Sequence, residues 1–168
     1  MSTKAKVKLD KDLLKASATM TDHQARFLVD TYYQMQNARI RSAAQVRGLE
    51  EESAPSEVMS WVGEINLSLE DNIKKALGKY ALGHPIGQWS MGITGIGPVL
   101  SAGLLAYVDI TKAPTVGHIW RFAGQDPTSI WNKGEKRPWN ANLKTLCWKM
   151  GECFVKTKNL DSDIYGKI

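Results

Sequence analysis

No run of apolar residues in this chain approaches the ~20 that a helix needs to cross a bilayer. Its first residues, Met1 to Asp12, carry lysines but lack the apolar stretch of a secretory signal. Cysteine is scarce: Cys147 and Cys153 lie six apart on a predicted helix, where a mutual disulfide is awkward, so a reduced, cytoplasmic protein is expected in a bacterial or host cell. Histidine is as thin. His23, His84 and His118 fall on different predicted elements with no cysteine or carboxylate at ligand spacing, so neither metal nor cofactor is expected. There is no lysine-bearing phosphate loop, no nucleophile–base pair and no internal repeat beyond two-helix units. An enzyme is not expected.

What is present is a hydrophobic share of 43%, enough to bury the core of one domain, with or without an appended arm. The net charge of +5 is uneven. Residues 1–20 sum to +3, 21–48 to +2, 49–72 to −7 with no basic residue at all, and 73–168 to +7. Such a pattern suits a surface for a polyanion with the acidic segment facing elsewhere, although an ordinary solvated distribution would look similar.

The periodicity predicts an all-α fold. Residues 1–20 lack a clear period and read as a flexible basic arm. Thr21-Asp22 with Gln24 reads as the N-terminus of a long amphipathic helix that is expected to end at Gly48. Arg39, Arg41 and Arg47 near its end favour the negative pole of the helix dipole and could also meet phosphate. An acidic linker, 49–54, leads to a second long helix, about 56–80. Together they predict an antiparallel αα-hairpin within 21–82, whose apolar stripe packs internally or against a second copy. Residues 83–160 are expected to form a further domain, and 161–168 a tail.

That further domain centres on Met91 to Ala106. Gly95-Ile96-Gly97 predicts a tight turn, and Pro98 opens a small-residue helix, Val99 to Tyr107, because proline is at home in a first helical turn. With a helical turn at Ile86 to Met91 before it, the unit reads as a helix-hairpin-helix. Its glycines let backbone approach a ligand, and the N–H groups at the second helix's start suit an oxyanion. Gly95, Ile96, Gly97, Val99, Leu100 and Ser101 are therefore candidate contacts to the phosphate backbone of double-stranded DNA, without sequence readout. A packing corner with no ligand is the alternative. Thr115 is expected to cap a short helix over 116–123. The segment 129–138 then sets Lys133, Lys136 and Arg137 beside Trp131 and Trp139, as phosphate contacts with stacking or as a tryptophan-stapled loop. A last helix, 140–156, adds Lys144 as a fourth candidate cation, with Lys149 and Lys156 also outward.

Residues 92–155 resemble the C-terminal domain of the DEDD-type insertion-sequence transposases. The likeness lies in Gly95-Ile-Gly-Pro-Val-Leu100, Pro114-Thr-Val-Gly-His-Ile-Trp-Arg-Phe-Ala-Gly124, Lys136-Arg-Pro-Trp-Asn140 and Leu143-Lys144. The long helices are similar to the coiled coil that precedes that domain. The family's catalytic RNase H-like half has no counterpart here, and its nucleophilic serine falls at Trp131-Asn132-Lys133, with Ser129 out of register. The resemblance thus implies a stand-alone DNA-binding module of phage or mobile-element origin, serving replication or recombination beside a protein partner. A recombinase remnant using Ser129, and a helical protein–protein adaptor, are the alternatives.

Overall fold

The computed structural model describes residues 8–51 and 57–157. It is all-α: among the described residues there are α1 (Lys11–Ala16), a 3-10 turn (Ser17–Thr19), α2 (Asp22–Glu51), α3 (Glu57–Leu82), α4 (Pro85–Met91), α5 (Pro98–Tyr107), α6 (Val116–Phe122) and α7 (Ala141–Thr157), and no strand. None of these helices is long and apolar enough to cross a membrane.

Local chemistry sets the helix starts. Thr21 and Gln24 form a reciprocal capping box: the Thr21 N–H donates to Gln24 Oε1 at 2.8 Å and the Gln24 N–H to Thr21 Oγ1 at 3.3 Å. At α7 the Leu143 N–H donates to Asn140 Oδ1 at 3.0 Å. Residues 8–20 differ from the flexible arm expected of them. Asp10 caps α1 by accepting from the Leu13 N–H at 2.8 Å, and the Leu9 N–H donates to Asn72 Oδ1 of α3 at 3.0 Å. Among the lysines lies a short apolar pattern, Leu9, Leu13 and Met20, that lines a surface groove with Leu28 and Ile73, and of the three Met20 packs against the core. Nor does α2 end at Gly48. That glycine is not among those with positive φ, and a helical glycine costs only about 1 kcal/mol against alanine. Residues 1–7 of the expected arm, residues 52–54 of the acidic linker and the tail, 161–168, lie outside the described residues.

Helices α2 and α3 lie antiparallel along each other. The Tyr80 hydroxyl donates to Asp22 Oδ1 at 2.8 Å, Arg39 Nε donates to Glu70 Oε2 at 2.6 Å, and Gly63 faces Ser42. Arg39 is thus an inter-helix ion-pair partner, not a group at the helix's negative end. Burial raises the Glu70 pKa, but hydrogen bonds from Arg39 and Gln36 outweigh it and hold the carboxyl below its usual range.

Helix α5 lies against this pair. Its Val99, Ala102 and Ala106 join Ala25, Val29, Leu77, Tyr80 and Ala81 in one apolar cluster. Its opposite side, Leu100 and Tyr107, packs with Ile96, Ala123, Leu143 and Leu146 in a second. The small residues that marked this helix in the sequence are what let it approach neighbours on both sides. Gly87 of α4 shows how close the chains come: a β-carbon there would lie 2.1 Å from the Ala81 carbonyl oxygen.

Candidate nucleic-acid interface

The hairpin is built from α4, the turn 92–97 and α5. A buried clasp joins the two helices: Ser90 Oγ and Ser101 Oγ are 2.6 Å apart, and both hydroxyls reach the Gly87 carbonyl, at 3.1 and 3.4 Å. The Ile96 N–H closes the turn onto the Ile93 carbonyl at 3.0 Å. Gly95 has φ +96°, where an L side chain is strained, and its α-carbon faces Cys153 and Thr157 at the end of α7. Gly97 is different in kind. Its φ of −92° and ψ of 178° are open to any residue, and a β-carbon added there would meet nothing within 4 Å. Beyond the preference for glycine over an apolar residue at an N-cap, nothing in the fold accounts for a glycine at this place.

The first hydrogen bond of α5 runs from the Ser101 N–H to the Gly97 carbonyl at 3.0 Å. Ahead of it, the Val99 and Leu100 N–H groups have no helical acceptor and sit at the positive pole of the helix. Ile96, Val99 and Leu100 are buried as whole residues, so their side chains are not available to a ligand and little of their backbone is exposed. Ser101 must be corrected. It is wholly buried, its hydroxyl belongs to the clasp and its N–H to Gly97, so it braces the hairpin and cannot touch a phosphate.

The segment 129–140 is a loop without strands. Trp131 Nε1 donates to the Glu135 carbonyl at 2.8 Å, and the Asn132 N–H donates to Glu135 Oε2 at 3.2 Å, which closes it. The guanidinium of Arg137 lies 4.8 Å from the Trp131 ring, Trp131 meets Trp139 edge-on at 6.4 Å, and Lys144 Nζ lies 4.5 Å from the Trp139 ring. A ladder results, Arg137–Trp131–Trp139–Lys144. Lys133 and Lys136 stand exposed beside it, and among the described residues none of these four cations has a carboxylate at ion-pair distance.

The structure does not bring hairpin and ladder together. Lys144 stands in the first turn of α7 and the hairpin abuts its last, roughly 15 Å apart at 1.5 Å of rise per residue. Between them Lys149, expected outward, lies 4.3 Å from the Tyr33 ring, and Lys156 pairs with Glu152 at 2.6 Å. One residue that the sequence reading passed over is Trp148, 64% exposed and one helical turn from Lys144. Its i,i+4 spacing from Lys144 was the available signal. Thr115 occupies the cap position of α6, but its hydroxyl lies 2.7 Å from His118 Nδ1 and bonds no backbone N–H of the helix. The Ser129 N–H donates to the Asp126 carbonyl at 3.2 Å, and no hydrogen bond joins its hydroxyl to a base among the described residues.

No known protein family matches the chain, and neither a curated protein nor a solved structure matches it.

Proposed function

We propose that this chain is a non-catalytic protein that binds double-stranded DNA through the phosphate backbone, with little sequence preference. The observation that carries the reading is Gly97: an unobstructed glycine, with no steric need for glycine, at the amide-bearing start of α5. The Gly97, Val99 and Leu100 amides would donate to one phosphate, with Gly95 and Ile96 shaping the turn. Arg137, Lys133, Lys136 and Lys144 would neutralise others. Because the hairpin abuts the last turn of α7 and Lys144 stands in its first, the two would engage different phosphates. A role in phage or mobile-element replication or recombination, beside a partner that supplies catalysis, is what the resemblance read in residues 92–155 would imply.

Anisotropy of a labelled duplex and of its single strand, at low and moderate salt, tests this. Duplex binding that weakens steeply with salt is expected; no binding at low salt overturns it. A second reading, a helical adaptor or a homodimer through the long helices, is favoured by the exposure of Phe27 and Ile40 on α2 and of Val58 and Trp61 on α3, each more than half exposed.

A further inference from the structure

Apart from the hairpin and the ladder, the first turn of α2, the end of α5 and α6 enclose a cavity of about 820 Å³. This is within the ~300–1,000 Å³ typical of small-molecule sites. One side is apolar, with Ile119 and Phe122, and Phe122 is 43% exposed. Tyr107 forms the floor. Its hydroxyl donates to Asp30 Oδ1 at 3.3 Å and accepts from Asn142 Nδ2 at 3.2 Å, which fixes the ring.

The other side is polar. The Arg26 guanidinium stands 5.9 Å from the centroid of the Tyr107 ring and donates to His23 Nδ1 at 3.0 Å. Arginine cannot accept a hydrogen bond, so His23 accepts at Nδ1 and carries its proton on Nε2. Among the described residues Arg26 has no carboxylate at ion-pair distance. The carboxylates that line the cavity already have partners of their own. Asp22 accepts from the Tyr80 hydroxyl at 2.8 Å, and Asp109 accepts from the Thr111 hydroxyl at 2.6 Å and pairs with Lys112 at 3.0 Å. Arg26 therefore has no direct ion pair and stands over one aromatic ring, with Asp22 and Asp109 bringing negative charge to the same lining. A ligand that satisfies this cavity has a flat ring at one end and an oxyanion at the other. The Arg26 fork, the His23 Nε2–H and Lys112 together offer more donors than a carboxylate uses, and match the three terminal oxygens of a phosphate monoester.

We propose that this cavity binds a nucleoside monophosphate, its phosphate on Arg26 and its base against Ile119 and Phe122. The proposal does not rest on DNA binding by the hairpin. The nucleotide could be free or the 5′-phosphorylated end of a strand, and both present the same chemistry.

Calorimetric titration of the full chain with dAMP, deoxyadenosine and inorganic phosphate tests it. dAMP is expected to bind at least about tenfold more tightly than deoxyadenosine, the ~1.4 kcal/mol of one charge-assisted contact. The Arg26→Gln variant should lose that difference while still binding deoxyadenosine. Phe122→Ala should weaken dAMP and leave inorganic phosphate unchanged. Displacement of dAMP by a 5′-phosphorylated but not a 5′-hydroxyl oligonucleotide supports the strand end; binding of dAMP undisturbed by either supports the free nucleotide. If the wild-type chain binds dAMP no better than deoxyadenosine, or Arg26→Gln binds dAMP as the wild type does, the proposal is overturned. The first of these comparisons needs no variant to fold.

Discussion

Replacing Gly97 by valine separates a grip on DNA from a requirement of the fold. The backbone there is extended, which valine adopts readily, and the new β-carbon meets nothing within 4 Å. Valine is a poorer N-cap than glycine, so a cost of about 0.5–1 kcal/mol is expected, partly offset by the lower entropy of the unfolded chain. For a chain of this size that moves Tm by no more than about 4 °C. The isopropyl group would stand where a phosphate must approach the Val99 and Leu100 amides. Hydrogen bonds to a charged acceptor contribute about 1.5–3 kcal/mol each, so losing even one weakens duplex binding roughly 10- to 100-fold. Anisotropy titrations of wild type and variant, beside thermal melts, read both quantities. Gly87→Ala is the contrasting control: its β-carbon would fall 2.1 Å from the Ala81 oxygen, and this variant should lose the fold itself. Gly97→Val with native melting and duplex affinity within about twofold of wild type would refute the reasoning.

Four further outcomes are expected. If Lys133, Lys136, Arg137 and Lys144 each neutralise a phosphate, the plot of log K against log salt should slope at about −3 to −4, and Lys144→Ala should reduce the slope by about one. Ser90→Ala leaves Ser101 Oγ without its nearest partner in a dry clasp; a loss of about 1–3 kcal/mol in denaturant unfolding is expected, with DNA affinity of the folded protein unchanged. Glu70→Gln removes the counter-charge of the half-exposed Arg39 and should cost about 1–2 kcal/mol, measured by the urea midpoint. Because the folded Glu70 pKa is depressed, its contribution is fully present above the usual carboxylate range and is lost as pH falls through the lower folded value. Urea midpoints of the wild type should therefore fall more steeply in acid than those of Glu70→Gln.

Features fixed by neighbours in sequence were legible in advance. Thr21 with Gln24 marks the start of α2, Pro98 the start of α5, and the apolar spacing of Leu143, Leu146 and Met150 the inward face of α7. Features fixed by distant partners were not. Arg39 reads as a charge near a helix end until Glu70, thirty-one residues on, is brought beside it. Asp10 is an unremarkable acid among lysines until Leu9 binds Asn72, sixty-three residues away, and holds α1 in place. The aromatics and cations of 131–144 could be seen to interleave, but their order of stacking depends on a loop closed by Glu135. The burial of Ser101 was masked by its neighbours: a small polar residue near an exposed turn looks available, and only the crossing of α4 over α5 takes it out of reach. The cavity at Arg26 had no local signature, since its walls come from segments some eighty residues apart.

Helix α5 belongs to both apolar clusters, and this bears on how the molecule can be divided. The break at Gly83-His84 looks like a seam where a protease or a cloning boundary might separate two modules. Cutting there would strip Val99, Ala102 and Ala106 of the partners that cover them and turn a buried face outward. A fragment starting at that seam would inherit the hairpin but not its footing, and would be prone to self-association. Melting should for the same reason be a single cooperative event, since neither set of helices can let go without exposing the wall they hold in common.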